Sequence, residues 1–315
     1  MRAPLLLFVY NRKRHTERAI EYIERNSLVN ETDLYIFCDG NKSEKDLNAV
    51  LEVRNFVNEY RKRAKFRNVT IIESDKNKGL AKSIIDGVSD VLKIREKVIV
   101  LEDDLVVSDD FLDFMNRALD YYENDIRINS VGGYVVQSNV LKKNPKDVCF
   151  LKVFECWGWA IWKNRWEKID WTYEYYCRMK DSKEMMKYIS DAGKDLEQML
   201  YDYINGEIDT WAVRVACDQA VKGKFTVVPC NTKVQNIGLD GSGTNCGNEQ
   251  RCTEKVNSKN CTLCPFYIDR KIERNMYNLR SKQYFLWNKF SYKSKMILKK
   301  LLRVRERSVN GESRR

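Results

Sequence analysis

Four short apolar runs, Leu5–Tyr10, Leu34–Cys38, Val69–Glu73 and Val98–Leu101, recur through the first third of the chain. Runs of this length suit buried strands. Between the first two lies a polar, helix-compatible stretch, Thr16–Arg25. Between the next two, Glu44–Ala64 carries Leu47, Leu51, Val53 and Val57 at helical spacing. Between the last two, Ile84, Val88 and Val91 mark one helix face. Strands alternating with helices imply a parallel sheet with helical crossovers, hence an α/β fold. Ligands of open α/β sheets gather beyond the carboxyl ends of the strands, so whatever follows each run carries the functional information.

Each run ends in polar groups. Asn11-Arg12-Lys13-Arg14 follows the first, Asp39-Gly40-Asn41 the second, Asp75-Lys76-Asn77-Lys78-Gly79 the third and Glu102-Asp103-Asp104 the fourth. Their shared position argues for one polar ligand spanning the sheet edge. Three adjacent carboxylates repel one another unless a cation or solvent neutralises them. Hard oxygen ligands suit Mg²⁺ or Mn²⁺, which bind phosphate oxygens jointly with protein. The competing reading is a solvated acidic turn, with Asp109 and Asp110 favouring the start of the next helix.

Beyond Asp104 the pattern predicts a helix over 109–124, strands at Ser130–Val136 and Cys149–Phe154, helical stretches up to Gly206, a helix over Trp211–Val221 and a strand at Phe225–Pro229. A glycine-rich loop, Asn236–Gly247, follows. Trp159, Trp162 and Trp166 fall at helical spacing, which points to core packing on a helix. With 43 % apolar and 32 % charged residues, both a sizeable core and a soluble surface are available, which excludes disorder, collagen and coiled coil for the chain as a whole. Only 4 Pro and no Ser/Gly-rich linker interrupt it, so one compact unit with an appended tail is expected.

Six segments in register resemble GT-A-fold glycosyltransferases, specifically the N-acetylglucosaminyltransferase I group and its bacterial relatives from polysaccharide gene clusters. They are LLLFVYNR at 5–12, CDG at 38–40, NKGLAKSI at 77–84, VIVLEDDLVVSDDFLDF at 98–114, WGWAIWKNRW at 157–166 and TVVPCNTKVQNIGLDGSGTN at 226–245. The likeness covers roughly residues 3–247. It implies a Rossmann-like, mostly parallel sheet flanked by helices, with a nucleotide-sugar-binding half over 1–108 and an acceptor half over 109–250. Residues 251–315 would then be a Cys-containing segment and a basic helical tail.

By this resemblance Asp104 holds the metal, while Asn11, Arg12, Asp39, Lys78, Gly79, Glu102 and Asp103 bind the donor. Asp209, just before the Trp211 helix, is the expected catalytic base. Glu207 and Asp218 are fallbacks, and a plain helix cap is the rival role for Asp209. A single base on the acceptor side implies an inverting displacement of a nucleotide diphosphate, expected to be uridine, by a glycan or lipid-linked glycan hydroxyl. Trp157, Gly158 and Trp211 are expected to line the sugar cleft, where aromatic faces can stack on pyranose C–H groups. Gly238, Gly241, Gly243 and Asn245 are expected in a lid over the donor. Relatives often carry a histidine in this loop; here Asn245 stands in its place and His15 is the chain's one histidine. A sugar nucleotidyltransferase would need a glycine-rich loop after the first strand, and Asn11–Arg14 contains no glycine. A non-catalytic glycan- or membrane-binding protein on the same scaffold is the other alternative.

The net charge of +11 is concentrated at one end. Residues 270–315 hold 15 Lys and Arg against 3 Asp and Glu, whereas 1–269 hold 41 against 42. Within 283–305, Leu286, Phe290, Ile297, Leu301 and Val304 recur near helical spacing among basic residues, which suits an anionic membrane surface. The tail has no base-reading module, so nucleic acid is not expected as a partner. The longest uncharged apolar run is far below the roughly 20 residues of a membrane span, and it lacks a cleavage site. A cytoplasmic protein, peripheral at the inner face of the plasma membrane, is expected. In that compartment most of the 10 cysteines would be reduced. Cys246, Cys252, Cys261 and Cys264 cluster, but only the last pair has C-x-x-C spacing, leaving structural zinc and free thiols both open.

Overall fold

A computed structural model gives the fold and describes residues 2–208, 210–240 and 256–282. The first half contains β1 (Leu5–Val9), α1 (Lys13–Ile23), β2 (Asp33–Cys38), α2 (Glu44–Arg61), β3 (Asn68–Glu73), α3 (Leu80–Leu92) and β4 (Lys97–Glu102). The strands lie in the order β3-β2-β1-β4 with every pairing parallel. Each strand falls within one residue of the run that predicts it. The alternation therefore produces the crossover sheet that it implies.

The second half contains β5 (Leu105–Val107), α4 (Phe111–Tyr121), β6 (Ile128–Gly132), α5 (Asn139–Lys142), β7 (Val148–Leu151) and β8 (Trp159–Trp162). There follow α6 (Lys163–Trp166), α7 (Tyr173–Asp181), α8 (Lys183–Ala192), α9 (Lys194–Ile204), α10 (Trp211–Val221), β9 (Phe225–Pro229) and β10 (Val234–Asn236). The sheet continues from β4 through β8, β6, β9 and β7. Among the described strands, four of its seven pairings are parallel, so the sheet is mostly parallel, with β8 antiparallel to both neighbours. β5 and β10 form a separate antiparallel pair.

Apolar side chains of successive strand residues point to opposite faces. Leu5, Leu7, Val9, Ile99 and Leu101 join a core with α1, α2 and α4, whereas Leu6, Phe8, Val98 and Val100 join a second core with α3 and α7–α10. Helices thus cover both faces. Trp159–Trp162 corrects the helical expectation, because the segment is a central strand. All four residues are buried, so no polar alternation marks the strand in the sequence. Trp159 and Ile161 enter one core, Ala160 and Trp162 the other, and Trp162 Nε1 donates to Leu119 O at 3.1 Å.

The tail is not wholly an appendage. Cys261, Ile272 and Met276 are buried, and Leu263, Cys264, Phe266, Tyr267 and Leu279 pack on the cores. Residues 270–282 are helical. Arg280 of this helix enters the body and pairs with Glu155, with its Nε 3.5 Å from Asp195. The basic stretch 283–305 lies outside the described residues, as do Cys246 and Cys252. No helix among the described residues is long and apolar enough to cross a membrane.

Candidate active site

The parallel pairing of β1 and β4 sets Phe8 opposite Glu102, so the residues just beyond both strands become neighbours. Arg12 Nη2 donates to Asp103 Oδ1 and, at 2.9 Å, to Asp104 Oδ2. Asp103 and Asp104 are 4 % and 8 % exposed. Arg12 Nη1 and Asp103 Oδ2 are buried without a hydrogen-bond partner. A buried donor and acceptor left open beside an ion pair are the mark of a place for a polar ligand.

Burial pushes the Glu102 carboxyl up to about 8, and the charges of Asp104 and Asp103 push the same way. Burial also raises Asp103, to about 6, against the pull of Arg12. Burial disfavours the Arg12 cation, but Asp103 and Asp104 outweigh it and hold the guanidinium firmly charged. The cluster therefore sets one cation against mutually repelling acids.

β5 continues directly from Asp104 and pairs with β10, Leu105 opposite Asn236. This brings the loop after β10 onto the acidic cluster. Ile237 N donates to Asp104 O at 2.8 Å, and Asn236 Oδ1 accepts from Gly238 N at 2.7 Å. A Cβ at position 238 would lie 2.3 Å from Asp104 Oδ2, so any larger residue there would have to displace the Asp104 side chain. Further along, Asp240 Oδ2 is 3.3 Å from His15 Nε2 on the first turn of α1. Of the expected lid residues, Gly238 thus lies on the cluster, while Gly241, Gly243 and Asn245 fall outside the described residues.

Asp39 sits at the end of β2 with its carboxylate occupied. Oδ1 accepts from Gly40 N and Lys78 N at 2.9 and 2.8 Å, and Oδ2 from Asn77 Nδ2 and Gly79 N at 3.2 and 3.0 Å. Four bonds fill the usual acceptor sites of a carboxylate. In this structure Asp39 shapes the loop after β3 and has no acceptor site to spare for a base. Gly40 permits the close approach, since a Cβ there would lie 2.5 Å from the Lys76 carbonyl carbon. Gly79 opens α3 with φ +76°, a conformation that favours glycine. The exposed Lys78 amino group is 3.5 Å from Asp86, and Asn11 is half-buried at the end of β1.

The tryptophans divide. Trp157 is half-buried, with its ring edge-on to Tyr134 at 4.6 Å, and Gly158 turns the chain at φ +65° into β8. Trp211 is 2 % exposed, with its ring 4.9 Å from that of Trp159 and 5.5 Å from that of Phe154. It packs in the core in this structure, where the first turn of α10 faces inward. Asp209 lies outside the described residues. Of the fallbacks, Asp218 is buried and held by Lys222 Nζ at 2.7 Å and Tyr175 at 3.4 Å, while Glu207 is exposed.

Two positioning residues are not among the candidates that the sequence suggests. Arg54, in the middle of α2, donates to Ser74 O at 2.6 Å and Asp39 O at 3.4 Å, joining the ends of β2 and β3. Lys233 is fully buried, its ammonium bonded to Asp110 Oδ2 at 2.6 Å and to the carbonyls of Asn257 and Lys259 at 3.1 and 2.9 Å. Arg54 lies outside the six quoted segments and Lys233 inside the last of them, but no pattern marks either role, because their partners are distant in sequence or are backbone atoms.

Among the described residues, no three His, Cys, Asp or Glu side chains are grouped to hold a metal by themselves. The hard oxygens of Asp103 and Asp104, one of them buried and unpartnered, nevertheless fit a divalent ion that takes its remaining ligands from phosphate and water.

No family model matches the chain, and no curated protein matches it. Solved structures do. A mannosyltransferase, PcManGT from Pyrobaculum calidifontis in complex with GDP-Man and Mn²⁺, is 15 % identical over 51 % of this chain and 45 % of its own, with a TM-score of 0.35. Residues 1–349 of S. aureus TarS are 11 % identical over 76 % of this chain and 62 % of that one, with a TM-score of 0.45. A longer TarS structure is 16 % identical over 45 % of this chain and 24 % of its own, with a TM-score of 0.33. The chain therefore spans less than two thirds of each of these structures.

Proposed function

We propose that the chain is an inverting, metal-dependent glycosyltransferase that moves a sugar from a nucleotide diphosphate, uridine in the first instance, to a hydroxyl of a glycan or lipid-linked glycan during surface polysaccharide synthesis. One observation carries this reading. The carboxyl ends of two adjacent parallel strands bring Arg12, Asp103 and Asp104 together, with one buried donor and one buried acceptor still open. A diphosphate needs cationic donors, and a ribose hydroxyl needs an acceptor.

Asp104, aided by Asp103, would hold Mn²⁺ or Mg²⁺, which offsets the charge developing on the departing diphosphate. Arg12 binds and orients the same diphosphate through its free Nη1. Asp39 and Arg54 keep the loops after β2 and β3 in place for the nucleoside. Gly238 lets the loop after β10 close on the donor. Asp209 takes the proton of the acceptor hydroxyl as its oxygen attacks the anomeric carbon and the carbon–oxygen bond to the diphosphate breaks. Trp157 offers the acceptor an aromatic edge. The basic segment 283–305 rests on the anionic inner face of the plasma membrane, within reach of a lipid-linked acceptor.

The test is release of nucleotide diphosphate from a panel of nucleotide sugars, with and without Mn²⁺. Turnover by the wild type and its loss in Asp209→Ala are expected; an inert wild type across the panel, with and without candidate acceptors, would sink the transferase reading. Separately, deletion of 283–315 should abolish sedimentation with phosphatidylglycerol vesicles. Undiminished binding would remove the membrane role while leaving the chemistry intact.

A further inference from the structure

Arg12 already supplies the positive charge between the two carboxylates that a divalent cation would otherwise supply. One nitrogen, Nη2, bridges the two carboxylates, against Asp103 Oδ1 and 2.9 Å from Asp104 Oδ2. The same Asp104 oxygen faces Gly238, where an added Cβ would lie 2.3 Å away. Mg²⁺ requires direct contacts of about 2.0–2.1 Å. Arg12 leaves acceptor sites open on Asp104, but its positive charge 2.9 Å from Oδ2 opposes a dication placed there. The other nitrogen, Nη1, is buried and has no acceptor, so Arg12 is only half used where it stands.

We infer that Arg12 is a tethered counter-ion that keeps divalent metal off Asp104 until an anionic diphosphate draws the guanidinium away, so that metal and nucleotide enter together. The inference rests on the reading of Asp104 as the metal-holding residue. A tethered cation competes at a high effective concentration, whereas metal in solution must arrive from dilution. A diphosphate offers the planar guanidinium several anionic oxygens in a geometry suited to paired hydrogen bonds. Once Arg12 turns to phosphate, the two carboxylates lose their neutralising partner and attract a dication more strongly than before. Because coupling of binding is reciprocal, metal strengthens nucleotide binding by the same factor.

The experiment measures Mn²⁺ binding to the full chain without nucleotide, by electron paramagnetic resonance of the free ion. Arg12→Met should bind Mn²⁺ at least about tenfold more tightly than wild type, since a competing unit charge is gone. Adding Asp104→Asn to that variant should abolish the gain. Arg12→Gln, which retains a polar side chain, serves if Arg12→Met fails to fold, as judged by circular dichroism. Equal Mn²⁺ affinity in wild type and the folded Arg12 variant overturns the inference, and so does a gain that survives Asp104→Asn. Wild type with added UDP separates the two levels of argument. Asp104-dependent Mn²⁺ binding there, without any gain in the Arg12 variant, overturns the counter-ion alone. Absence of Asp104-dependent binding under every condition overturns the metal reading as well.

Discussion

Asp104→Ala is expected to lower donor turnover by on the order of 10²- to 10³-fold, the usual effect of removing one electrostatic element aimed at a developing oxyanion. The fold should persist. The side chain's described hydrogen bond is to Arg12, and Arg12 keeps Asp103 when Asp104 is lost. Asp104→Glu should fail as a rescue, because the added methylene has to enter the space where a Cβ at Gly238 is already excluded. Initial rates over a Mn²⁺ titration decide the matter. A deficit that higher Mn²⁺ cannot overcome is expected, whereas wild-type rates in Asp104→Ala would remove this carboxylate from the chemistry.

Arg280→Met should cost about 3–5 kcal/mol of folding stability, the typical penalty for breaking a buried ion pair from one side. Arg280 is the partner of Glu155, 7 % exposed, and is 3.5 Å from Asp195, 3 % exposed. Ser281 Oγ, 3.4 Å from Asp195, is too weak a partner to replace it. Burial raises the Glu155 carboxyl above its ordinary value, and Arg280 opposes that rise. Without Arg280 the rise is larger, so the folded state favours the protonated acid. The deficit should then be greatest at neutral pH and shrink as pH falls toward the ordinary Glu value of about 4.3. Denaturant unfolding at pH 5 and pH 8 measures this, and Glu155→Gln in the same background should restore part of the loss. An unchanged midpoint would show that the pair contributes nothing to the fold.

The α/β half was legible because its signals are local. Short apolar runs and intervening helical spacing report strands and crossovers, and the strand-end rule directs attention to Arg12, Asp39 and Asp103–Asp104 without any contact being known. The Trp159–Trp166 region misleads for a definable reason. A strand covered on both faces carries no polar alternation, and residues three apart also satisfy a helix. The burial of Trp211 is not legible in the sequence, because a position at the start of a helix says nothing about which way the first turn faces. The clamp at Asp39 depends on backbone N–H groups, which no side-chain pattern encodes. Arg280, Glu155 and Asp195 are far apart in sequence, so their meeting can be seen only in three dimensions.

That meeting has a bearing on synthesis. Domains generally begin to form from the amino terminus while the chain is still being made. Here the sheet strands and α9 are complete before the ribosome has added residue 280. Until then Glu155 and Asp195 lack their guanidinium, and the ammonium of Lys233 waits for the carbonyls of Asn257 and Lys259. Closure of the second half around these buried charges therefore depends on residues 257–280, which follow every strand and helix through β10 in the chain.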